Sequence, residues 1–139
     1  MACVPLPTAP PTGDIIDPAD IGLLVRRFYQ AAIPDPLLGP LFEAAGIDWS
    51  VHIPLLRRFW ERELLDIPGY GGNVVGAHRA VLDTAPFGRT NLDRWVELFD
   101  ETADELFIGP VADHAKQRAA QIAAALATLA TRRTQGANP

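Results

Sequence analysis

His78 follows a glycine-rich stretch of the chain and precedes a short apolar turn. Glycines occupy positions 71, 72 and 76 of this stretch, which begins at Tyr70. Because glycine has no Cβ, the backbone there can approach another group closely, and a neutral imidazole is a common metal ligand. The same pattern also fits a core or surface histidine after a flexible loop. The rest of the chain has to decide between the two interpretations.

Three more side chains bring a polar hydrogen to an otherwise apolar helical face. Tyr29 and Trp95 each interrupt such a face, and His52 lies on one, four residues before Leu56. A buried phenol or indole needs a hydrogen-bond partner. Bulky apolar residues that could surround these groups are Leu38, Leu41, Phe42, Leu56 and Phe59. One imidazole, a few donors and a large apolar surround suit a flat apolar cofactor that carries one metal, and haem fits that description.

Other kinds of site find little support in the residue pattern. The three histidines, His52, His78 and His114, lie on separate segments without the paired spacing typical of zinc ligands. Ser50 is the only serine and has no nucleophile-elbow motif around it, which argues against a serine hydrolase. The chain also has no glycine-rich phosphate loop, no Cys-x-x-Cys and no His-Glu-x-x-His. We interpret His114 as a surface residue.

Length and composition favour one globular domain. The chain has 139 residues, of which 48% are hydrophobic and 21% charged, with a net charge of −5. No apolar run reaches the roughly 18 residues that cross a bilayer, so we expect no membrane association. The acidic balance argues against nucleic-acid binding, which needs a basic face. The single cysteine, Cys3, excludes an internal disulfide and fits a reducing cytosol, so we expect a cytoplasmic protein.

Apolar residues recur at helical spacing along the chain, and no alternating strand pattern or hairpin signal is present. The predicted fold class is therefore all-α. We expect a flexible N-terminal extension over residues 1–16, a globular domain over 17–131 and a flexible tail over 132–139. The last helix is expected to begin after Gly109-Pro110, because proline cannot continue a preceding helix.

Capping residues predict where the earlier helices begin. Asp17 is expected to cap the first helix, Asp48 the next and Thr90 a later long one. Because proline is tolerated only in the first turn, the regular part of the second helix is expected to begin near Pro54. That start would leave His52 on a loose first turn, from which its ring could swing.

The order of several short segments resembles the truncated haemoglobins of group III. The segments are Phe28-Tyr29, Asp35 to Phe42, Trp49-x-x-His52, Phe59-Trp60, Tyr70-x-Gly72, His78 and Arg94 to Phe99. They span roughly residues 17–130, and their order and spacing together are specific. The resemblance implies a shortened globin fold, a two-over-two helical sandwich that encloses haem b. Two departures, a longer N-terminal extension and the loop between His78 and Trp95, leave the matched positions untouched.

The resemblance also implies a role for each matched side chain. By position, His78 matches the proximal iron ligand, and Tyr29, Trp95 and His52 match residues of the distal pocket. Phe42 matches the aromatic residue that packs on the haem ring. Further cofactor contacts are expected from Leu38, Leu41, Leu56, Phe59 and Phe87, and candidate partners of the haem propionates are Arg57, Arg58 and Arg79.

The implied function is binding of O2 and other diatomic ligands such as CO and NO. Hydrogen bonds from Tyr29 and Trp95 to such a ligand, each contributing about 1–3 kcal/mol, argue against simple oxygen delivery. They favour redox chemistry, either nitric oxide dioxygenation or peroxide reduction, which needs an unidentified reductase. In that chemistry His52 could act as a gate and proton donor. Two alternatives stay open, a non-enzymatic ligand binder or sensor, and a cofactor-free helical interaction domain.

Overall fold

The structure, a computed structural model, describes residues 11–136, with the backbone alone at 83, 84 and 133–136. Within this range the chain forms helices and no β-strand, as the sequence predicts. The helices are α1 (Pro18–Ala32), α2 (Gly39–Ala45), α3 (Trp49–Leu65), α4 (Val74–Ala77), α5 (Val81–Thr84), α6 (Arg89–Leu106) and α7 (Pro110–Gly136). No described helix is both long and apolar enough to span a membrane.

Two pairs of long helices build the fold. Helix α1 packs along α3, α6 packs along α7, and α1 also crosses α6. The core lies where the apolar faces of these four helices meet. Together they form the two-over-two helical sandwich that the resemblance implies, and the short helices α2, α4 and α5 close its open side.

Helix α1 forms as its sequence predicts. The Asp17 carboxylate accepts a hydrogen bond from the Asp20 amide at 3.0 Å, and Pro18 occupies the first helical position. Its buried residues are those of the predicted apolar stripe: Ile21, Leu24, Val25, Phe28, Tyr29 and Ala32. The helix ends before Pro34, and its apolar face supplies two aromatic rings to the centre of the molecule.

Helix α3 begins earlier than predicted. Asp48 does cap it, accepting from the Ser50 amide at 3.1 Å, but the regular turns start at Trp49. Pro54 lies inside the helix, where its missing N–H removes a single backbone bond after the cap has already fixed the start. The His52 amide donates to the Asp48 carbonyl at 2.9 Å. The prediction of a loose first turn is therefore wrong, and His52 sits on a regular helix.

Helix α6 also begins before its predicted cap. Gly88, and not Thr90, is the residue that precedes the first turn, and the Gly88 amide donates to the Asn91 side chain at 3.0 Å. The Asn91 side chain therefore caps the helix at Gly88, and the helix begins at Arg89, earlier than a cap at Thr90 would allow. The predicted break at Gly109-Pro110 is confirmed, because α6 ends at Leu106 and α7 begins at Pro110.

The described part of the N-terminal extension is docked rather than flexible. Ile15 is 1% exposed, and the Asp14 carboxylate accepts from the Val111 and Ala112 amides, each at 2.8 Å. Asp14 thus caps α7 from a distant part of the chain. A Cβ on Gly109, whose φ is +145°, would lie 2.5 Å from the Asp14 carboxyl group, so glycine suits this position. Asp14 and Ile15 are therefore held against the globular domain.

The C-terminal end differs from its prediction too. Helix α7 continues to Gly136, so residues 132–136 extend it instead of forming a flexible tail. The predictions for residues 1–10 and 137–139 lie outside the described residues.

Candidate functional site

A cavity of about 340 Å³ lies between the helices, and its walls are mostly apolar. Helices α1, α2, α3 and α6 contribute most of the lining, and the segment from α4 to Phe87 completes it. The predicted site residues that line it are Tyr29, Leu38, Leu41, Phe42, His52, Leu56, Phe59, His78, Phe87 and Trp95. The fold therefore brings residues from distant parts of the chain into a single enclosed space.

His78 ends the short helix α4, and its ring is held by the helix that precedes it. Its Nδ1 lies 2.6 Å from the Val74 carbonyl, while the Asn73 side chain fixes the start of the helix by accepting from the Gly76 amide at 3.1 Å. Because a carbonyl only accepts, Nδ1 carries the proton and Nε2 has a free lone pair. The Phe87 ring stands perpendicular to the imidazole at 6.3 Å.

Among the described side chains, no group of three or more His, Cys, Asp or Glu residues is placed so that it could hold a metal ion. A metal ion held at His78 would therefore need most of its ligands from a cofactor.

Tyr29 and Trp95 bring the two polar hydrogens to the same wall of the cavity. Both rings pack against Phe28, at centroid distances of 4.8 and 5.7 Å. Burial raises the pKa of Tyr29 well above its ordinary value, and the nearby Trp95 side chain offsets part of that rise. The phenol therefore stays protonated and remains a hydrogen-bond donor at physiological pH.

His52 lies beside Tyr29, with the two rings perpendicular and 6.5 Å apart. Its side chain is half-buried, and burial lowers its pKa, with a further decrease from the positive charge that His78 can carry. Trp49 contacts His52, Tyr29 and Phe42 at 5.7, 5.2 and 5.3 Å. Trp49 therefore packs behind the site, and His52 faces the cavity as a mainly neutral imidazole.

The residue pair Asp35 and Arg94 supports this wall, and the sequence did not predict it as part of the site. Arg94 Nε donates to Asp35 Oδ2 at 2.8 Å, and the Leu37 and Leu38 amides donate to the other carboxylate oxygen at 2.9 and 3.2 Å. Burial alone would raise the pKa of Asp35, but these hydrogen bonds outweigh it and lower the pKa. The pair ties the corner that carries Leu38 to the helix that carries Trp95.

The three arginines predicted as partners of the haem propionates, Arg57, Arg58 and Arg79, do not line the cavity. The Arg57 guanidinium lies against Gly22 of α1, within 3.3 Å of the place where a Cβ on that glycine would stand. Arg79 follows His78 and is exposed. The role of these arginines as propionate partners stays a prediction.

Several lining residues were missed as site residues. Tyr70 is the most notable, because its ring packs on Phe59 at 5.4 Å and lies under the Arg62 guanidinium at 4.9 Å. Arg62 also donates to the Tyr70 carbonyl at 2.7 Å. The glycine-rich loop before His78 is therefore held to α3. The sequence signal was present, since Tyr70 is an aromatic residue in an otherwise small-residue loop.

The chain is similar to a truncated haemoglobin in sequence and in structure. No protein-family model matches the chain. The chain is 29% identical over 114 residues to the Group 3 truncated hemoglobin ctb of Campylobacter jejuni, covering 79% of this chain and 87% of that protein. Its structure is similar to the crystal structure of group III truncated hemoglobin from the same organism, with a TM-score of 0.71 and 28% identity. That match covers 83% of this chain and 91% of the other.

Proposed function

Since the chain is similar in sequence and in structure to group III truncated haemoglobin, we propose that its cavity holds haem b with His78 as the iron ligand. We propose further that the protein uses this site for redox chemistry on O2, NO or peroxide and not for oxygen delivery. The observation that carries the proposal is that one cavity is lined by an imidazole with a free Nε2, His78, and by two donors, the buried Tyr29 and the half-buried Trp95.

The donor set fits haem. Haem takes one protein nitrogen on its iron, and the Val74 carbonyl holds the His78 ring in the tautomer that leaves Nε2 available. The volume of about 340 Å³ lies in the range of ligand pockets, and apolar and aromatic side chains dominate its walls. When bound, haem supplies an iron that takes up a diatomic ligand and exchanges electrons with it.

Tyr29 and Trp95 orient and hold a polar ligand in the cavity. Each of the two side chains carries one polar hydrogen, and both side chains line the cavity. Because burial raises the pKa of Tyr29, this donor is not lost by ionisation near neutral pH. A hydrogen bond from a dry wall contributes about 1–3 kcal/mol, which slows the release of a negatively polarised ligand. Slow release suits reaction better than delivery.

His52 supplies a proton-exchanging group beside that donor. Its lowered pKa keeps the ring largely neutral at pH 7, so one ring nitrogen can donate a proton while the other accepts one. The ring is half-buried and lies 6.5 Å from Tyr29, between the cavity and the surface of α3. We assign His52 the role of passing protons between solvent and a ligand in the cavity. The reductase that supplies electrons is unidentified.

A non-enzymatic ligand binder or sensor is the second candidate function, because the same donors would also hold a ligand that never reacts. An enzyme would consume NO or peroxide catalytically, whereas a binder or sensor would not. Catalytic consumption of NO or peroxide, lowered in Tyr29→Phe and Trp95→Phe, supports the enzyme. A stable oxygen complex that consumes neither compound supports the binder.

Absorption spectra of the purified protein in ferric, ferrous and CO-bound forms test the proposal. We expect an intense band near the violet edge of the visible range that shifts on addition of CO. His78→Gly should lower haem retention, and external imidazole should restore it. His114→Gly is the matched control, because His114 is exposed on α7. A featureless visible spectrum, or equal haem retention in both variants, would overturn the assignment.

A further inference from the structure

A second concave surface lies on the outside of the molecule, between α1 and α3. Its volume is about 560 Å³, it is open to solvent, and it is separate from the cavity, since Tyr29 alone lines both. Its apolar wall consists of Leu23, Ile33 and Ile53. Ile33 is 43% exposed, so part of this apolar wall faces solvent. We call this surface the outer groove.

The polar side of the outer groove is cationic. Arg26 and Arg57 line it, and both are exposed. Among the described residues neither forms an ion pair, whereas Arg27 pairs with Glu105 and Arg94 pairs with Asp35. Two uncompensated guanidinium groups on one groove stand out in a chain of net charge −5. They create a local positive field where the molecule as a whole repels anions.

The contact between α1 and α3 positions one of these cations. Gly22 leaves room for the Arg57 side chain, whose Nη2 lies 3.2 Å from the place where a Cβ would stand. The guanidinium is therefore laid on α1, one helical turn before Arg26. Because Leu23 and Ile53 lie beside it, the charge borders an apolar strip and does not simply project into water.

We propose that the outer groove binds an amphipathic anion, such as a medium-chain carboxylate. The planar guanidinium groups of Arg26 and Arg57 suit a carboxylate head, which each can hold with two hydrogen bonds. The strip of Leu23, Ile33 and Ile53 covers the acyl chain. A volume of about 560 Å³ lies in the range of small-molecule pockets. A small uncharged diatomic ligand would use neither the cations nor the apolar strip.

Isothermal titration of the haem-loaded protein with decanoate, below its micelle concentration, tests the proposal directly. We expect one saturable site per chain that weakens with added salt. Arg26→Gln and Arg57→Gln should each weaken binding by roughly tenfold, because each removes a charge-assisted hydrogen bond. Arg27→Gln is the matched control, since Arg27 follows Arg26 on α1, is exposed and does not line the groove.

Two further ligands test the carboxylate head and the acyl chain of decanoate separately. Decanol has the same alkyl chain as decanoate but no charge, and inorganic phosphate has a charge but no alkyl chain. Neither should saturate the outer groove at the concentrations at which decanoate does. Ile33→Glu should abolish decanoate binding, because it places a negative charge in the apolar wall of the outer groove. It also gives a second test if an arginine variant folds poorly. Binding that is absent, matched by decanol, or unchanged in Arg57→Gln and Ile33→Glu would overturn the proposal. Unchanged binding in those variants would instead locate decanoate in the cavity.

Discussion

Arg94 Nε lies 2.8 Å from Asp35 Oδ2, and this contact joins α6 to the corner after α1 at a point one residue before Trp95. The Asp35 side chain is only 3% exposed, whereas Arg94 is 30% exposed. Asn91 reinforces the junction by donating to the Leu37 carbonyl at 3.1 Å. The orientation of Trp95 in the cavity wall therefore depends on a charged pair that never touches the cavity.

Arg94→Gln should lower the free energy of unfolding by about 1–3 kcal/mol, because it leaves a buried carboxylate with only its backbone donors. Urea denaturation measures this change. Arg27→Gln is the matched control, since Arg27 pairs with Glu105 at 2.9 Å but both side chains are nearly half exposed. That exposed pair should cost less than about 1 kcal/mol. Equal losses in the two variants would contradict the assigned importance of burial.

Asp35 should also make stability fall in acid. Its pKa in the folded protein is lowered from the ordinary value of 3.8, so the carboxylate stabilises the fold above that value. The stabilisation is lost as pH falls through the lower folded-state pKa, because the folded protein then has to take up a proton. Urea denaturation from about pH 5 to about pH 2 should show a shallower pH dependence for Asp35→Asn than for the natural chain. A parallel dependence in both proteins would count against this prediction.

Tyr29→Phe and Trp95→Phe should each accelerate oxygen release from the haem-loaded protein. One lost hydrogen bond of about 1–3 kcal/mol corresponds to a rate increase of roughly 5- to 150-fold. Stopped-flow ligand replacement measures the rate. Carbon monoxide is the internal control, because it is less polarised and its release should change much less in the same variants. Unaltered oxygen release would show that neither side chain donates to the ligand.

His52 should titrate below its ordinary pKa of 6.5 in the folded protein, first because it is buried and second because His78 lies near. NMR of the diamagnetic ferrous CO form can follow its ring protons, and His52→Gln identifies the resonance. Because the folded-state pKa is lowered, protonation favours the unfolded chain as pH falls below 6.5. The natural chain should therefore lose stability in that window while His52→Gln does so less. A midpoint at or above 6.5 would be inconsistent with a buried neutral ring.

Asp14→Ala should destabilise the protein by about 1–2 kcal/mol, the usual contribution of a capping side chain. Its carboxylate accepts from the Val111 and Ala112 amides, and Gly109 offers no side chain of its own for this purpose. Thermal and urea unfolding both measure the loss. Asp113→Ala is the control within the same helical turn, because Asp113 is exposed and pairs only with Lys116 at 3.6 Å. Similar effects from both substitutions would argue against the long-range cap.

The sequence predicts helical faces well because their periodicity is a local property. The stripe from Ile21 to Ala32 is buried as expected, and Asp17 and Asp48 cap through neighbours two or three residues away. Helix starts were missed where another side chain intervened, as Asn91 does for α6. No local pattern could reveal that Asp14 caps α7, since the two lie 97 positions apart.

The candidate site likewise contains residues that the sequence could predict and residues that it could not. His52, His78 and the two polar donors could be predicted because they match a family pattern in order and spacing. The direction of the Arg57 side chain could not be predicted, because it depends on which residue of α1 leaves space for it. That residue is Gly22. The Asp35–Arg94 pair was missed because its members lie 59 positions apart, each within an unremarkable local sequence.

The cap that Asp14 places on α7 has a consequence for how a growing chain matures. Asp14 leaves the ribosome early, but its two acceptor bonds cannot form until residues 111 and 112 have also emerged. Until then Ile15 has no burial site at the junction of the last two helices. Closing so long a loop carries an entropic cost that the two amide bonds and the buried isoleucine must offset together. The beginning and the end of the globin domain are therefore expected to lock in one late step of biosynthesis.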